Sequence, residues 1–245
     1  MSTTNEAVTP IEGAAALVTG ANRGLGLAMV DELLARGAEL VYAASRSPRV
    51  HEDDRVIPLA LDVDDDASVA AAAAAATDVS IVVNNAGIKL DTPVLEAPLE
   101  DLRSELDTNL FGIIRVARSF APALARHQSS SLVNVLSALS WLSFGRGYEI
   151  SKAAAWSATN AMRLALHKQG TIVTALHVGF MDTDMTAGLD VPKADPREVA
   201  RRTADGILAG EPEILADDAS RRLKAALSGE VAELYPQLTG RRNAA

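Results

Sequence analysis

The chain has 245 residues, 48% of them hydrophobic and 22% charged, which is typical of a globular protein with enough apolar material for one large core. Its 32 acidic and 23 basic residues give a formal net charge of -9, and no basic block is present, so binding to nucleic acid is not expected. The absence of cysteine excludes disulfides and thiolate zinc sites, and we expect no metal at the functional site.

Both ends of the chain are polar. Residues Met1 to Pro10 lack the basic start and apolar centre of a signal peptide, and we expect flexible tails over residues 1–10 and 240–245. No apolar run approaches the roughly 20 residues that span a bilayer, so the sequence predicts a cytoplasmic protein that does not bind membranes. The chain shows no linker, repeat or break in composition, which favours a single domain over residues 1–245.

Short apolar runs alternate with longer helical patterns along the chain. Asp64–Thr77 combines a first turn of aspartates with a run of alanines, as helices do, while Leu99–His127 and Tyr148–Lys168 are too long and too evenly apolar for strands. Strands that are apolar on both faces and alternate with helices indicate a parallel sheet with helices on both sides. The sequence therefore predicts an α/β fold, a doubly wound Rossmann-type domain with about seven parallel strands. The predicted strands are Ala14–Thr19, Glu39–Ala44, Val56–Leu61, Val79–Asn84, Ser131–Leu136, Thr171–His177 and Glu213–Leu215.

A glycine-rich turn follows the first predicted strand. Its glycines fall in the pattern T-G-x-x-x-G-x-G, and a helical stretch begins near Leu27. A strand, a glycine turn and a helix in this order let the backbone approach a pyrophosphate and point free N–H groups at it. The alternative is a glycine turn needed only for packing. The cofactor contacts predicted here are Gly20, Asn22, Arg23, Gly24, Leu25 and Gly26.

The end of the second strand indicates which nucleotide is bound. NAD sites usually place an acidic residue there for the ribose 2′-hydroxyl, whereas this chain has Ser45 and Arg46. A guanidinium suits a 2′-phosphate, and Arg23 can approach the same group from the other side, so the sequence favours NADP(H). Alternatively, both arginines face solvent. Asp62 ends the third strand, where it would either accept from the adenine amino group or cap the following helix.

A phenol and an ammonium group share one face of a predicted helix. Tyr148 and Lys152 are four residues apart, and a nearby cation stabilises a phenolate, which lets the tyrosine exchange a proton with a substrate oxygen. The pattern alone is weak, because chance produces it often. Ser137 closes the fifth strand at the carboxyl edge, where ligands bind in parallel sheets, although it would also suit a turn cap. Asn109 lies within an otherwise apolar helix, where a buried asparagine usually has a specific partner.

These motifs, in this order and over nearly the whole chain, resemble those of the short-chain dehydrogenase/reductase family. Thr19–Gly26 resembles the family's cofactor loop, and Asn84–Gly87 resembles its N-N-A-G motif. The resemblance implies that Tyr148 is the general acid or base and that Lys152 lowers the pKa of Tyr148 and binds the nicotinamide ribose. It further implies that Ser137 polarises the carbonyl and that Asn109 holds a water of a proton relay. Its other implied cofactor contacts are Val63, Asn85, Ala86, Gly87, Gly179 and Thr183.

The chain departs from the family pattern at three places. Val178-Gly179 stands where Pro-Gly is usual, and Glu149 stands beside the tyrosine where a small residue is common. The interval from Ser137 to Tyr148 is 11 residues, which is shorter than the family leads us to expect. The loss falls in the segment 141–147, and it leaves open whether Ser137 or Ser140 occupies the catalytic position.

The residues expected around the substrate are mostly apolar, which suggests a medium-sized ketone, aldehyde or secondary alcohol. They are Lys89, Leu90, Trp141, Leu142, Phe144 and Met185. Little sequence separates Thr183 from the helix signal at 195–197, so the substrate lid should be short. The tail lacks the glycine-rich last strand that many tetrameric members use, and we expect a homodimer formed through the helices Leu99–His127 and Tyr148–Lys168.

The sequence is also compatible with two other functions. The first is a non-catalytic, nucleotide-binding regulator or scaffold that keeps the fold, which the shortened segment and Glu149 weakly favour. The intact pair Tyr148 and Lys152 argues against it, because a protein without chemistry has no need of both. The second keeps the fold but catalyses epimerisation or dehydration, and the chain shows no sign of the extra substrate domain that such relatives often carry.

Overall fold

A computed structural model describes residues 8–90 and 92–238 of the chain. Seven parallel strands form one sheet in the order β3-β2-β1-β4-β5-β6-β7, the doubly wound arrangement in which the strand order reverses beside the first strand. The predicted fold class is therefore confirmed, and the strand limits shift by one or two residues only. The strands are β1 Ala15–Thr19, β2 Leu40–Ser45, β3 Val56–Ala60, β4 Ile81–Asn84, β5 Ser130–Val135, β6 Thr171–His177 and β7 Glu213–Leu215.

Helices cover both faces of the sheet, and each face has its own core. Every residue of β1, β4 and β5 is buried, as expected for strands that bury both faces. On one face α1 and α6 pack together over the strands, and on the other the core contains residues of α2 and α4. The helices are α1 Gly24–Ala35, α2 Asp66–Ala75, α3 Leu99–Leu106, α4 Ile113–Leu124, α5 Gly147–Leu166, α6 Pro196–Ala209, α7 Asp218–Ala226 and α8 Val231–Leu234.

The predicted long helix Leu99–His127 is interrupted in its middle. A π-helical turn, Asp107–Gly112, joins α3 to α4. Such turns often occur at functional sites, because the extra residue changes the direction of the side chains. Asn109 lies inside this turn and is fully buried, so the interruption places it between neighbouring elements.

The loops after β5 and β6 are held side by side beyond the last strand residues. The Leu136 N–H donates to the carbonyl of Leu176 over 2.8 Å, and the Ala138 N–H donates to that of Val178 over 2.9 Å. This continuation of the ladder places Ser137 at the carboxyl edge of the sheet. Nearby loops from β1 and β4 open on the same edge, as parallel strands require.

The ends of the described chain pack more closely than the sequence suggested. Thr9, in the predicted N-terminal tail, is fully buried and its hydroxyl lies 3.0 Å from that of Ser129, so residues 8–10 do not form a free tail. Residues 1–7 and 240–245 lie outside the described part. After α7 the chain forms α8 and a 3-10 turn at Pro236–Leu238. No helix in the described ranges is both long and apolar enough to cross a membrane.

Candidate active site

A cavity of about 1080 Å³ opens at the carboxyl edge of the sheet. Its position agrees with the rule that ligands bind in open α/β sheets outside the carboxyl ends of the strands. The structure brings nearly all predicted site residues to its wall, with two exceptions: Gly26 and Asn109 lie behind the wall. The predicted residues that line it are Gly20, Asn22, Arg23, Gly24, Leu25, Ser45, Arg46, Asp62, Val63, Asn85, Ala86, Gly87, Ser137, Tyr148, Lys152, Gly179 and Thr183.

The glycine turn requires glycine for two different reasons. Gly20 and Gly24 have φ angles of +67° and +56°, a region that side chains with a Cβ rarely adopt. Gly26 instead lies directly beneath the turn, where a Cβ would overlap the carbonyl of Gly20. Gly26 therefore allows α1 to begin close under the turn, and its contribution to the site is indirect.

Thr19 ties the glycine turn to the loop after β4. Its Oγ1 accepts hydrogen bonds of 3.0 Å from the N–H groups of Asn85 and Ala86. The Asn85 amide in return donates to the Thr19 carbonyl over 2.9 Å. This pairing fixes the two loops that border one side of the cavity. The sequence did not assign this role to Thr19, which shows only after β1 and β4 become neighbours.

The two arginines predicted at the 2′-phosphate have different surroundings. Arg46 is exposed at the cavity wall beside Ser45. Arg23 forms an ion pair of 2.5 Å with Asp184 in which both side chains are about three-quarters exposed. An exposed pair of this kind contributes little free energy, so Arg23 can exchange Asp184 for a phosphate at small cost. The Asn22 amide donates to the Ser47 carbonyl over 2.8 Å and holds the turn against the end of β2.

The structure separates the two predicted roles of Asp62. The N-cap of α2 is Asp65, whose carboxylate accepts from the Ala67 N–H over 2.9 Å. Asp62 accepts from the Asp64 N–H over 3.1 Å and lines the cavity. The capping role therefore belongs to Asp65, and Asp62 is left facing the site.

Tyr148 and Ser137 meet at the floor of the cavity. Burial of the phenol raises the pKa of Tyr148 to about 12, the neighbouring Ser137 hydroxyl lowers it by less, and Glu105 raises it further. The phenol is therefore neutral at physiological pH and carries a proton that it can donate. The Ser137 Oγ also accepts from the Leu139 N–H over 3.1 Å.

Lys152 lies one helical turn from Tyr148, as the spacing predicted. Its Nζ is 5.7 Å from the centroid of the Tyr148 ring and donates to the Val135 carbonyl over 2.9 Å. Burial lowers the pKa of Lys152 to about 8. Because the pKa of Lys152 lies below that of Tyr148, the ammonium has lost its charge before the phenol titrates, and the pKa of Tyr148 is governed by burial.

Asn109 joins three elements next to the cavity. Its Oδ1 accepts from the Ile88 N–H, while its Nδ2 donates to the Ile88 carbonyl and to the Ser151 Oγ, each over 2.9 Å. Ser151 belongs to α5, and Ile88 follows the N-N-A-G segment. The side chain thus holds the loop after β4 against the helix that carries Tyr148 and Lys152.

The shortened segment before α5 is closed by Glu149. Its Oε2 accepts from the Ser143 hydroxyl over 2.6 Å, from the Phe144 N–H over 2.7 Å and from the Arg146 N–H over 2.9 Å. The unusual residue beside the tyrosine is therefore the residue that shapes the shortened loop. The sequence identified Glu149 as a departure but not its role.

The choice between the two serines follows from their positions. Ser137 contacts Tyr148 and lines the cavity, whereas Ser140 lies in the 3-10 turn Ala138–Ser140 that follows. The Ser140 Oγ is buried and makes no hydrogen bond with any residue in the described ranges. The geometry thus favours Ser137.

Four of the six residues expected around the substrate line the cavity. Lys89, Leu142, Phe144 and Met185 line the cavity. Leu90 and Trp141 do not: Leu90 is 46% exposed outside the cavity lining, and Trp141 is buried with its ring stacked on another residue of the interior. The sequence missed Ala219 and Leu223 of α7, which line the same cavity.

The loop after β6 closes the other side of the cavity. Val178 replaces the usual proline, and its carbonyl accepts from the Ala138 N–H. The Gly179 N–H donates to Asp217 over 2.6 Å, and a Cβ at Gly179 would press on that carboxylate. Beyond Thr183 the chain forms a 3-10 turn and returns through a bridge between Met181 and Ala194, which gives the short segment that the sequence predicted.

Comparison with known proteins gives a consistent result. The family model described as short chain dehydrogenase matches residues 14–193. The chain is 30% identical over 218 residues, 79% of this chain and 89% of the relative, to the 3-oxoacyl-[acyl-carrier-protein] reductase FabG of Vibrio cholerae. It is 33% identical, with a TM-score of 0.88, to a short chain dehydrogenase of Burkholderia cenocepacia solved with NADP, covering 94% of this chain and 99% of that one. An NADPH-bound carbonyl reductase from chicken fatty liver shares the fold, with 24% identity, a TM-score of 0.74 and coverage of 84% and 100%.

The space under the glycine turn leads to a test. Gly26→Ala should weaken binding of NADP(H) at least tenfold, because the added Cβ must displace the Gly20 carbonyl and with it the turn. Gly188→Ala is the matched control, since a Cβ there meets nothing within 4 Å. Titration of NADPH fluorescence measures both affinities. Equal affinities in the two variants would contradict the packing role given to Gly26.

Proposed function

Because the chain belongs to the short-chain dehydrogenase family, we propose that it is an NADP(H)-dependent carbonyl reductase. It interconverts a medium-sized, mostly apolar ketone or aldehyde and the corresponding alcohol. The observation that carries the proposal is the meeting of Ser137 and Tyr148 on the cavity floor, one helical turn from Lys152. A proton donor and a second hydroxyl at one point can bind the same carbonyl oxygen.

The chain's own residues supply the proton chemistry. A nicotinamide cofactor held by the cavity residues would supply the hydride in reduction or accept it in oxidation. Tyr148 is neutral below a pKa of about 12 and donates its proton to the substrate oxygen during reduction, since general acids act in their protonated form. Ser137 donates a hydrogen bond to the same oxygen as negative charge develops on it. Lys152, with a pKa of about 8, holds a cation beside the phenol at neutral pH and stabilises the phenolate that remains.

The site's arrangement favours an enzyme over a non-catalytic regulator. A regulator needs the nucleotide half of the cavity but has no use for a half-buried phenol beside a buried serine hydroxyl on the cavity floor. Burying the Lys152 ammonium costs free energy, and a protein without chemistry gains nothing from that cost. The reductase from Vibrio cholerae acts on the carbonyl of a 3-oxoacyl group, which supports the reaction class.

The substrate half of the cavity supports the substrate class. Leu142, Phe144 and Met185 from the loops and Leu223 from α7 give this half an apolar wall, which suits a carbon skeleton more than a densely charged metabolite. The preference for NADP(H) rests on Arg46 and Arg23 and on the absence of an acid at the end of β2. A cytoplasmic location stays a prediction from the sequence.

The proposed assembly is a homodimer through α3, the π turn Asp107–Gly112, α4 and α5. Large apolar side chains on these elements are open to solvent, notably Leu99, Phe111 and Leu164, of which Leu164 is 81% exposed. Apolar side chains concentrated on adjacent helices favour association.

Replacing the phenol tests the chemistry. Tyr148→Phe should lower kcat for carbonyl reduction by about 10²–10⁴-fold, while NADPH binding persists because the ring remains. Tyr42→Phe makes the same change on β2, where the hydroxyl meets Asp78 outside the cavity, and should leave kcat unchanged. A Tyr148→Phe variant with near-normal turnover would assign the proton transfer to another group.

The two serines can be compared directly. Ser137→Ala should lower kcat by about 10²–10³-fold, the usual loss when one donor to a developing oxyanion is removed. Ser140→Ala should change kcat little, because its hydroxyl does not reach the cavity. Both variants are assayed at saturating NADPH on one accepted ketone. If Ser140→Ala is the inactive variant, the assignment of the catalytic serine is wrong.

Charge reversal tests the cofactor preference. Arg46→Asp should abolish or reverse the preference for NADPH over NADH, because a carboxylate repels the 2′-phosphate and suits the free 2′-hydroxyl. Arg49→Asp makes the same charge change at an exposed position that does not line the cavity. The ratio of kcat/KM for the two cofactors is the measurement. Equal use of both by the unmodified protein would refute the proposed preference.

The molecular mass in solution tests the proposed homodimer. Phe111→Asp should shift the protein from dimer to monomer in sedimentation, since it buries a charge in the proposed interface. Val50→Asp, at a position 91% exposed on another face, should leave the mass unchanged. A monomeric unmodified protein, or a Phe111→Asp variant that stays dimeric, would exclude this interface.

A further inference from the structure

A histidine that takes no part in the proposed chemistry lies directly behind the catalytic serine. His177 is the last residue of β6 and is fully buried. Its Nδ1 lies 3.0 Å from the carbonyl oxygen of Ser137. Because a carbonyl can only accept a hydrogen bond, Nδ1 carries the proton and donates it. The Ser137 carbonyl also accepts from the Ser140 N–H over 2.9 Å, so two donors hold this peptide group.

Charged groups surround the ring, but the histidine itself stays neutral. The Nε2 of His177 faces the Glu213 carboxylate at 3.8 Å, and Lys224 binds that carboxylate over 2.8 Å. Burial lowers the pKa of His177 most strongly, the Ser137 carbonyl and Glu213 raise it, and Lys224 and Lys152 lower it, which leaves it at about 4. At neutral pH the ring is therefore a neutral donor with one tautomer fixed by its partner.

Aromatic packing prevents the ring from turning away. Trp141 stacks on His177 with ring centroids 3.9 Å apart and planes 22° apart, and Trp156 meets Trp141 edge to face at 6.0 Å. Lys224 of α7 lies over both indole rings at 5.1 and 5.6 Å. Such contacts have defined geometry. They join the segment after Ser137 to the helix that carries Tyr148.

We infer that His177 is a positioning residue for the proposed carbonyl reduction, in which it fixes the Ser137 main chain through its Nδ1–H so that the Ser137 hydroxyl meets Tyr148 and the substrate oxygen. The inference rests on the proposed function. It also accounts for the burial of Trp141, which holds the imidazole in place. Displacements of about 1 Å in a reacting group cost up to about 10²-fold in rate, so support behind Ser137 affects turnover without any contact with substrate.

The first experiment removes the donor and keeps an aromatic ring against Trp141. His177→Phe should lower kcat about tenfold or more and leave the NADPH dissociation constant unchanged. His177→Asn keeps an N–H near the Nδ1 position and should restore kcat to within about threefold of the unmodified enzyme. Thr174→Val is the matched control, because it removes a buried hydrogen bond, from Thr174 to the Glu211 carbonyl, on the same strand. It should leave kcat unchanged.

The second experiment separates positioning from general damage. In a Ser137→Ala background, His177→Phe should have no further effect on kcat, because the hydroxyl that it positions is absent. An equal loss of kcat in both backgrounds would show that His177 does not act through the Ser137 hydroxyl, and the inference would be wrong. If the unmodified protein reduces no carbonyl with NADPH, the proposed function fails instead, which is a distinct outcome.

A measurement on the unmodified protein does not depend on how the variants fold. Nitrogen NMR of labelled histidine should show His177 as the neutral Nδ1–H tautomer from pH 6 to pH 8, with slow exchange of that proton. The Nε2–H tautomer, or a proton in fast exchange with water, would overturn the inference, because Nδ1 would then not be donating to Ser137.

Discussion

The pairing of β5 with β6 past their last residues is the constraint on which the site depends. The N–H groups of Leu136 and Ala138 continue the ladder to the carbonyls of Leu176 and Val178, so the chain leaves the sheet only after Ser137 has been placed. Main-chain hydrogen bonds satisfy both strands here, and the proposed catalytic serine, Ser137, takes its position from that requirement.

The sequence predicted the elements of the site that depend on local pattern. The i, i+4 spacing of Tyr148 and Lys152, the glycine turn and the end of β5 each follow from nearby residues, and the alternation of strands and helices fixed the edge at which they meet. It did not predict the partners that come from distant parts of the chain. His177 lies 40 residues from Ser137, and Thr19 lies 66 residues from Asn85, and no pattern within either segment marks the contact.

The error at Trp141 has the same origin. An aromatic residue four positions after Ser137 is expected at the cavity, because the loop there borders the substrate. In the structure the Trp141 ring lies in the interior, where it stacks on the imidazole of His177, the last residue of β6. The sequence did not predict the π turn at Asp107–Gly112 either. Its residues are compatible with a regular α-helix, and only the packing around Asn109 distinguishes a π turn from an α-helix here.

The carboxylate of Glu149 has a consequence for how the pocket meets its ligand. By binding three donors of the segment before α5, it removes conformational freedom from a wall of the cavity before any molecule arrives. Ordering a loop during binding subtracts from affinity, and here that ordering has been completed during folding. The acid that closes this segment thus makes a preorganised wall, one that selects by shape and does not adapt.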